Sequence, residues 1–205
     1  MVHVSHPREL WSWDRCRDAI RSLRGRKGFP LADRLGFLAY SLDLSTGELY
    51  DELDGRLVER GAGYAETYTV VYFLLDSYGR APEVQLRGEW FSPRQFPGVS
   101  LTSRSYQGLA RQVTRGFAAD PSLLGPAAQR LGGSPVEVPV GDQAYSIPAL
   151  PQTPVTIVYN PAGEFPAETH IYFDSSITQV FDSEQAFFLA LLTVKRLLKA
   201  SKALG

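Results

Sequence analysis

At Gly132-Gly133 the hydrophobic period of this chain changes from helical to alternating. Downstream, Pro135 to Pro139 (PVEVP) alternates apolar and polar residues, and Gly141-Asp142 makes a turn. Thr153 to Tyr159 (TPVTIVY) is apolar on both faces, the pattern of a central strand. Asn160-Pro161-Ala162-Gly163 is a turn signal, and Thr169 to Asp174 (THIYFD) is the returning strand. Strands grouped in this way, with helical segments before and after them, predict an α+β fold. Its sheet is mixed but mainly antiparallel, with helices packed on it. The last of those helices is long and amphipathic. Asp182 is its cap, Gln185 stands three residues on, and Phe187, Leu191, Val194 and Leu198 line one face. Lys195, Arg196, Lys199 and Lys202 suit its C-terminal end.

Upstream, Pro7 opens a first helix carrying Leu10, Trp13, Ile20 and Leu23 on one face, broken by Gly25 and Gly28-Phe29-Pro30. Gly36 to Leu44 reads as one strand. Turns at Ser45 to Glu48 and at Asp54-Gly55 then make a small antiparallel meander. The segment AETYTVVYFLLDSYG reads as a buried helix, and Glu89 to Val99 (EWFSPRQFPGV) as an aromatic-rich loop. Helices from Arg104 to Ala118 and from Asp120 complete the first part, the second with Pro121 in its first turn. There is no internal repeat. The organisation expected is a single α+β domain over residues 31–205, with residues 1–30 as a basic helix that is part of it or appended to it.

The chain has 205 residues, 44% hydrophobic and 12% aromatic, enough to bury a substantial core. A net charge of -1 gives it no bulk attraction for nucleic acid or anionic membrane. The first stretch is locally basic, with Arg8, Arg15, Arg17, Arg21, Arg24, Arg26 and Lys27, and reads first as a solvated surface and second as a docking face. Cys16 is the only cysteine, so one chain forms neither a disulfide nor a cysteine-held metal cluster. A lone helical cysteine reads as a packing residue. MVHVSHPREL lacks a signal-peptide core, and the run FFLALLTV is far shorter than the ~20 residues of a membrane span. A cytoplasmic protein with no membrane partner is the expectation.

No P-loop, nucleophile elbow, H-E-x-x-H or EF-hand loop is present. Gly61-x-Gly63 lacks the third glycine of a dinucleotide loop, a position held by Glu66. Of the histidines, His3 and His6 flank the N-terminus, whereas His170 shares a strand face with Tyr172 and Asp174. An imidazole, a phenol and a carboxylate on one face suit acid–base work or ligand binding, against the simpler reading of a polar sheet face. Asp142, Glu164 and Asp174 stand in turns, a hairpin loop and a strand end, where three converging acids would bind a cation. Each acid also has a local structural use, Asp174 by accepting backbone bonds from Ser175 or Ser176. Trp90, Phe91 and Phe96 must either plug the core or face a ligand.

Together, GEWFSPRQFPG, RLGGSP, VGDQAY and LPQTPVTIVYNPAGEFPAETHIYFDSS, followed by an acid-capped terminal helix, resemble a prokaryotic family known as domain of unknown function 3786. The resemblance runs from about Gly61 to the C-terminus and is most specific at Gly141-Asp142, Glu164-Phe165-Pro166 and Phe173-Asp174. It implies a protein of anaerobic bacteria or archaea. It also implies relatives joined to a four-cysteine iron–sulfur module of the kind found in corrinoid proteins, which a chain with Cys16 alone does not carry. Gln95 stands where the family tends to have an acid.

Three functional readings follow. The first is a non-catalytic binding module for a small molecule or a tetrapyrrole- or corrinoid-type cofactor, with Trp90, Phe91, Asp142, Glu164, His170 and Asp174 as its site. The second is an accessory protein docking on a larger, redox enzyme. The third is a hydrolase or lyase using Asp142, Glu164 and His170. No catalytic residue, metal ligand or cofactor is assigned.

Overall fold

The computed structural model of the chain describes residues 11–60, 65–97, 103–138, 141 and 143–204. The chain divides into two compact units, Met1–Gly36 with Tyr40–Glu83, and Phe37–Ala39 with Val84–Gly205. Both are α+β. The described part of the predicted first helix is α1 (Trp13–Arg21), while Pro7 and Leu10 lie outside the described residues.

In the first unit, α1 packs on α2 (Ala65–Arg80), beside a sheet ordered β1 (Arg34–Phe37), β2 (Tyr40–Asp43), β3 (Leu49–Asp51) and β4 (Arg56–Leu57). The two helices cross at Gly79. A side chain there would meet the Ala19 carbonyl at 2.3 Å, so only glycine permits this approach. The turn after β2 is held by Asp43, which accepts from the Ser45 and Thr46 amides at 2.8 and 3.1 Å. Gly47 adopts φ +72° there, with the Trp13 ring against it. Tyr68 ties the meander to α2, its hydroxyl accepting from Leu49 N–H and donating to the Val58 carbonyl.

Two readings of the basic and helical segments change. Lys27 is not on a solvated face but 2% exposed, its ammonium donating to the Tyr78 and Ala81 carbonyls at the C-terminal end of α2. Carbonyls of a helix's last turn point out of its C-terminal end, and a cation suits that pole. Burial lowers the Lys27 pKa. Gly36 to Leu44 is not one strand, because Leu38 and Ala39 take φ +49° and +55° and fold it into the β1–β2 hairpin. Neither residue favours that conformation. The compensation is distant, since Arg196 donates to both of their carbonyls.

The second unit is a five-stranded antiparallel sheet in the order β5 (Trp90–Phe91), β9 (Glu168–Asp174), β8 (Thr153–Asn160), β7 (Gln143–Leu150), β6 (Ser134–Pro135). β8 is central, as its two-sided apolar pattern predicts. Of the PVEVP alternation only Pro135 lies in a strand among the described residues, as the second residue of β6, and the longer strand β7 had no clear signal because Pro148 interrupts it. The structure places Pro148 where the β7–β8 register shifts between Ile147 and Leu150, a break that spares the ladder a missing N–H.

Helices α3 (Ser103–Phe117), α4 (Leu124–Arg130) and α6 (Ser183–Lys202) pack against this unit's sheet, and the short α5 (Ile177–Val180) leads into α6. One sheet face carries Val155, Ile157, Tyr159, Ile171 and Phe173, all buried. Asp182 and Gln185 form the expected capping box of α6. Its buried face is rotated from the expected one. Leu189, Ala190, Thr193 and Leu197 are enclosed, and of the predicted stripe Val194 is buried while Phe187, Leu191 and Leu198 are half-buried. Arg196, expected among the solvated C-terminal cations, is 1% exposed, for the reason given above.

Candidate functional site

The described residues singled out by sequence divide between the faces and ends of the sheet. Trp90 faces Asp174 across the β5–β9 ladder, on the sheet face that also carries His170 and Tyr172. The Trp90 ring, 39% exposed, meets Tyr172 edge-on at 5.7 Å. Phe91 points to the opposite face and packs on Phe96 at 4.9 Å, and Phe96 on Phe173 at 6.3 Å. Two of the three loop aromatics therefore plug the core. Glu164 is exposed in the hairpin loop before β9, whereas Asp174 ends that strand, which is about 20 Å long over its six steps. Asp142 lies outside the described residues, as do His3 and His6. Among the described residues no three His, Cys, Asp or Glu side chains group as a metal site.

Asp174 has a local task. Its carboxylate accepts from the Arg87, Gly88 and Ser176 backbone N–H groups at 3.1, 2.7 and 2.9 Å, pinning the segment before β5 to the end of β9. Burial alone would raise its pKa, but the bonds from Ser176, Arg87 and Gly88 outweigh it and hold the group below the usual carboxylate value. Gln95 has a local task too. Its side-chain oxygen accepts from Ser92 N–H while the Ser92 hydroxyl accepts from Arg94 N–H, a capping box on the 3-10 turn Pro93–Gln95. Glutamate would serve equally at that position, so an acid in relatives fits capping.

What the structure does assemble is a groove of about 400 Å³ between that 3-10 turn and α3, with β9 as its floor. Ser92, Pro93 and Arg94 form one wall and Tyr106, Gln107 and Ala110 the other, above residues Glu168 to Tyr172. His170 is the sequence-predicted residue that lines it, with its Nε2 3.5 Å from Glu168, an ion pair when the imidazole is protonated. A second, shallower depression of about 190 Å³ adjoins Trp90 and Asp174 on the open sheet face.

Two properties make the groove chemically incomplete. Tyr106 is 6% exposed, packed edge-on against Phe173 and Phe187, and its buried hydroxyl has no hydrogen-bond partner among the described residues. Burial pushes its pKa well above the usual phenol value, so the group is a neutral donor and acceptor. Secondly, β5 reaches only Asp174 and Phe173 of β9, so from Glu168 to Tyr172 that edge has no strand beside it among the described residues. Tyr106, Gln107 and Arg94 had no sequence signal. Tyr106 reads as an ordinary apolar-face residue of α3, and only packing strands its hydroxyl.

No helix among the described residues is long and apolar enough to cross a membrane. Neither a curated protein nor a solved structure matches the chain. A family model does match, over residues 40–196, beginning some twenty residues earlier than the motifs suggested and taking in β2 to β4 of the first unit. The chain belongs to the family described as "Domain of unknown function (DUF3786)".

Proposed function

We propose that this chain is a non-catalytic binding module whose ligand is another protein, making it an accessory subunit that docks on a larger enzyme through the groove beside β9. The supporting observation is the stretch of β9 from Glu168 to Tyr172, which floors the groove and has no strand beside its edge among the described residues. Phe165, in the hairpin loop three residues before β9, is 75% exposed and available as an interface anchor. A planar cofactor is favoured less. Phe91 and Phe96 are committed to the core, which leaves Trp90 as the loop aromatic with an exposed face.

A photo-crosslinking residue at Gln107, introduced in the native host, tests this reading. The expected product is one recurrent polypeptide, joined through a defined peptide. Native mass spectrometry of the same preparation provides the opposing result: a small bound mass, with crosslinks scattered over unrelated proteins, would return the site to a small-molecule ligand.

A further inference from the structure

The edge of β9 defines what shape of partner the groove accepts. Ser175 N–H donates to the Glu89 carbonyl at 2.9 Å, and these two residues face each other in the register that pairs Trp90 with Asp174 and Phe91 with Phe173. In an antiparallel ladder, bonded and non-bonded pairs alternate, so Phe173 and Phe91 form the next bonded pair. The same alternation turns the N–H and C=O groups of Ile171 and Thr169 toward the side where β5 has ended. Those groups are the floor of the groove.

Resting on the docking reading above, we propose that the groove takes an extended segment of a partner protein, which continues the line of β5 and adds a strand to β9 by bonding to Thr169 and Ile171. The floor, Glu168 to Tyr172, offers about 17 Å, room for a strand of ~5 residues. Charge narrows the sequence. Arg94, exposed on one wall, makes no ion pair among the described residues, whereas Glu168 already stands beside His170. The incoming strand therefore carries a carboxylate facing Arg94 and a small or apolar residue against Ala110. Main-chain bonds give such a complex its affinity, and these side-chain positions give its specificity.

A phage-displayed library of linear peptides, panned against the full chain, is the test. Peptides enriched on the wild type are expected to share alternating apolar residues and one acid. They should lose about tenfold in affinity against Arg94→Glu, and at least that against Ala110→Trp, which fills the groove from the helix side. Hydrogen exchange is expected to slow at the Thr169 and Ile171 amides when peptide binds. Exchange at β7 and β8 in each variant, compared with the wild type, checks that the fold is intact. Groove-dependent peptides that leave the Thr169 and Ile171 amides unprotected would overturn strand addition while leaving docking in place. If neither enriched peptides nor Gln107 crosslinks appear, both readings fall. A dimer that is abolished by Ala110→Trp would make a second copy of this chain the occupant and overturn the proposal of a different partner.

Discussion

Arg196 Nε donates to the Leu38 carbonyl at 2.9 Å, joining positions 158 residues apart in sequence, and Arg196 Nη2 reaches Ala39 at 2.8 Å. The cation is 1% exposed, and the two carbonyls belong to a turn held at positive φ. Arg196→Met keeps much of the side-chain length but removes both donors, leaving buried carbonyls unsatisfied. A loss of about 3 kcal/mol in urea unfolding is expected, with Arg196→Lys recovering only part of it. A variant as stable as the wild type would show that the turn does not depend on these bonds.

Asp174→Ala should lower stability by about 2 kcal/mol at neutral pH, because three backbone donors lose their charged acceptor. The pH dependence has a definite sign. The folded pKa is depressed, so the carboxylate contributes fully above the unfolded value of about 3.9, and the contribution disappears as pH falls through the lower folded value. The difference between wild type and variant in denaturant titrations should therefore shrink in acid below about pH 4. A difference that is constant with pH would assign the effect to packing.

Cys16 is 1% exposed, and its pKa is pushed up to about 11, first by burial and then by the nearby Asp76 charge. Thiolate is the reactive form, so the native protein should resist a thiol reagent at mildly alkaline pH and take up one equivalent on unfolding in urea. Prompt labelling of the folded chain would contradict the burial. The flanking arginines do not activate it.

Much of the fold was legible because its signals are local. The Asp182–Gln185 capping box, the two-sided apolar run of β8 and the turn at Gly47 each depend on residues within a few positions. The features that were not legible depend on contacts far apart in sequence. Leu38-Ala39 is a poor turn until Arg196 supports it, and β7 is hidden by a proline that only its partner's register shift accommodates. Phe187 and Leu191 have the spacing of a core stripe, yet α6 buries a rotated face of Leu189, Ala190, Thr193 and Leu197. The site was legible only at His170. Its neighbours Arg94, Tyr106 and Gln107 come from two other elements, the 3-10 turn and α3, and the length of β9 separates Asp174 from Glu164.

Tyr106→Phe should stabilise the free protein by up to about 1 kcal/mol, since it removes a buried hydroxyl with no hydrogen bond and keeps the ring that contacts Phe173 and Phe187. The hydroxyl is closed to solvent, so the same variant should leave capture of the partner in the Gln107 crosslinking assay unchanged. Lower stability would place an unseen partner on that oxygen in the free state.

An open strand edge is also where folded proteins polymerise, one sheet extending into the next. Here the open part of β9 is recessed between a 3-10 turn and a helix, and its neighbours include Arg94, Glu168 and His170. A whole sheet approaching side-on would meet those walls before its backbone reached Ile171, while a single chain could thread between them. On the strand-addition proposal, the two walls thus act as a gauge on width, passing one strand at a time and excluding a whole sheet edge.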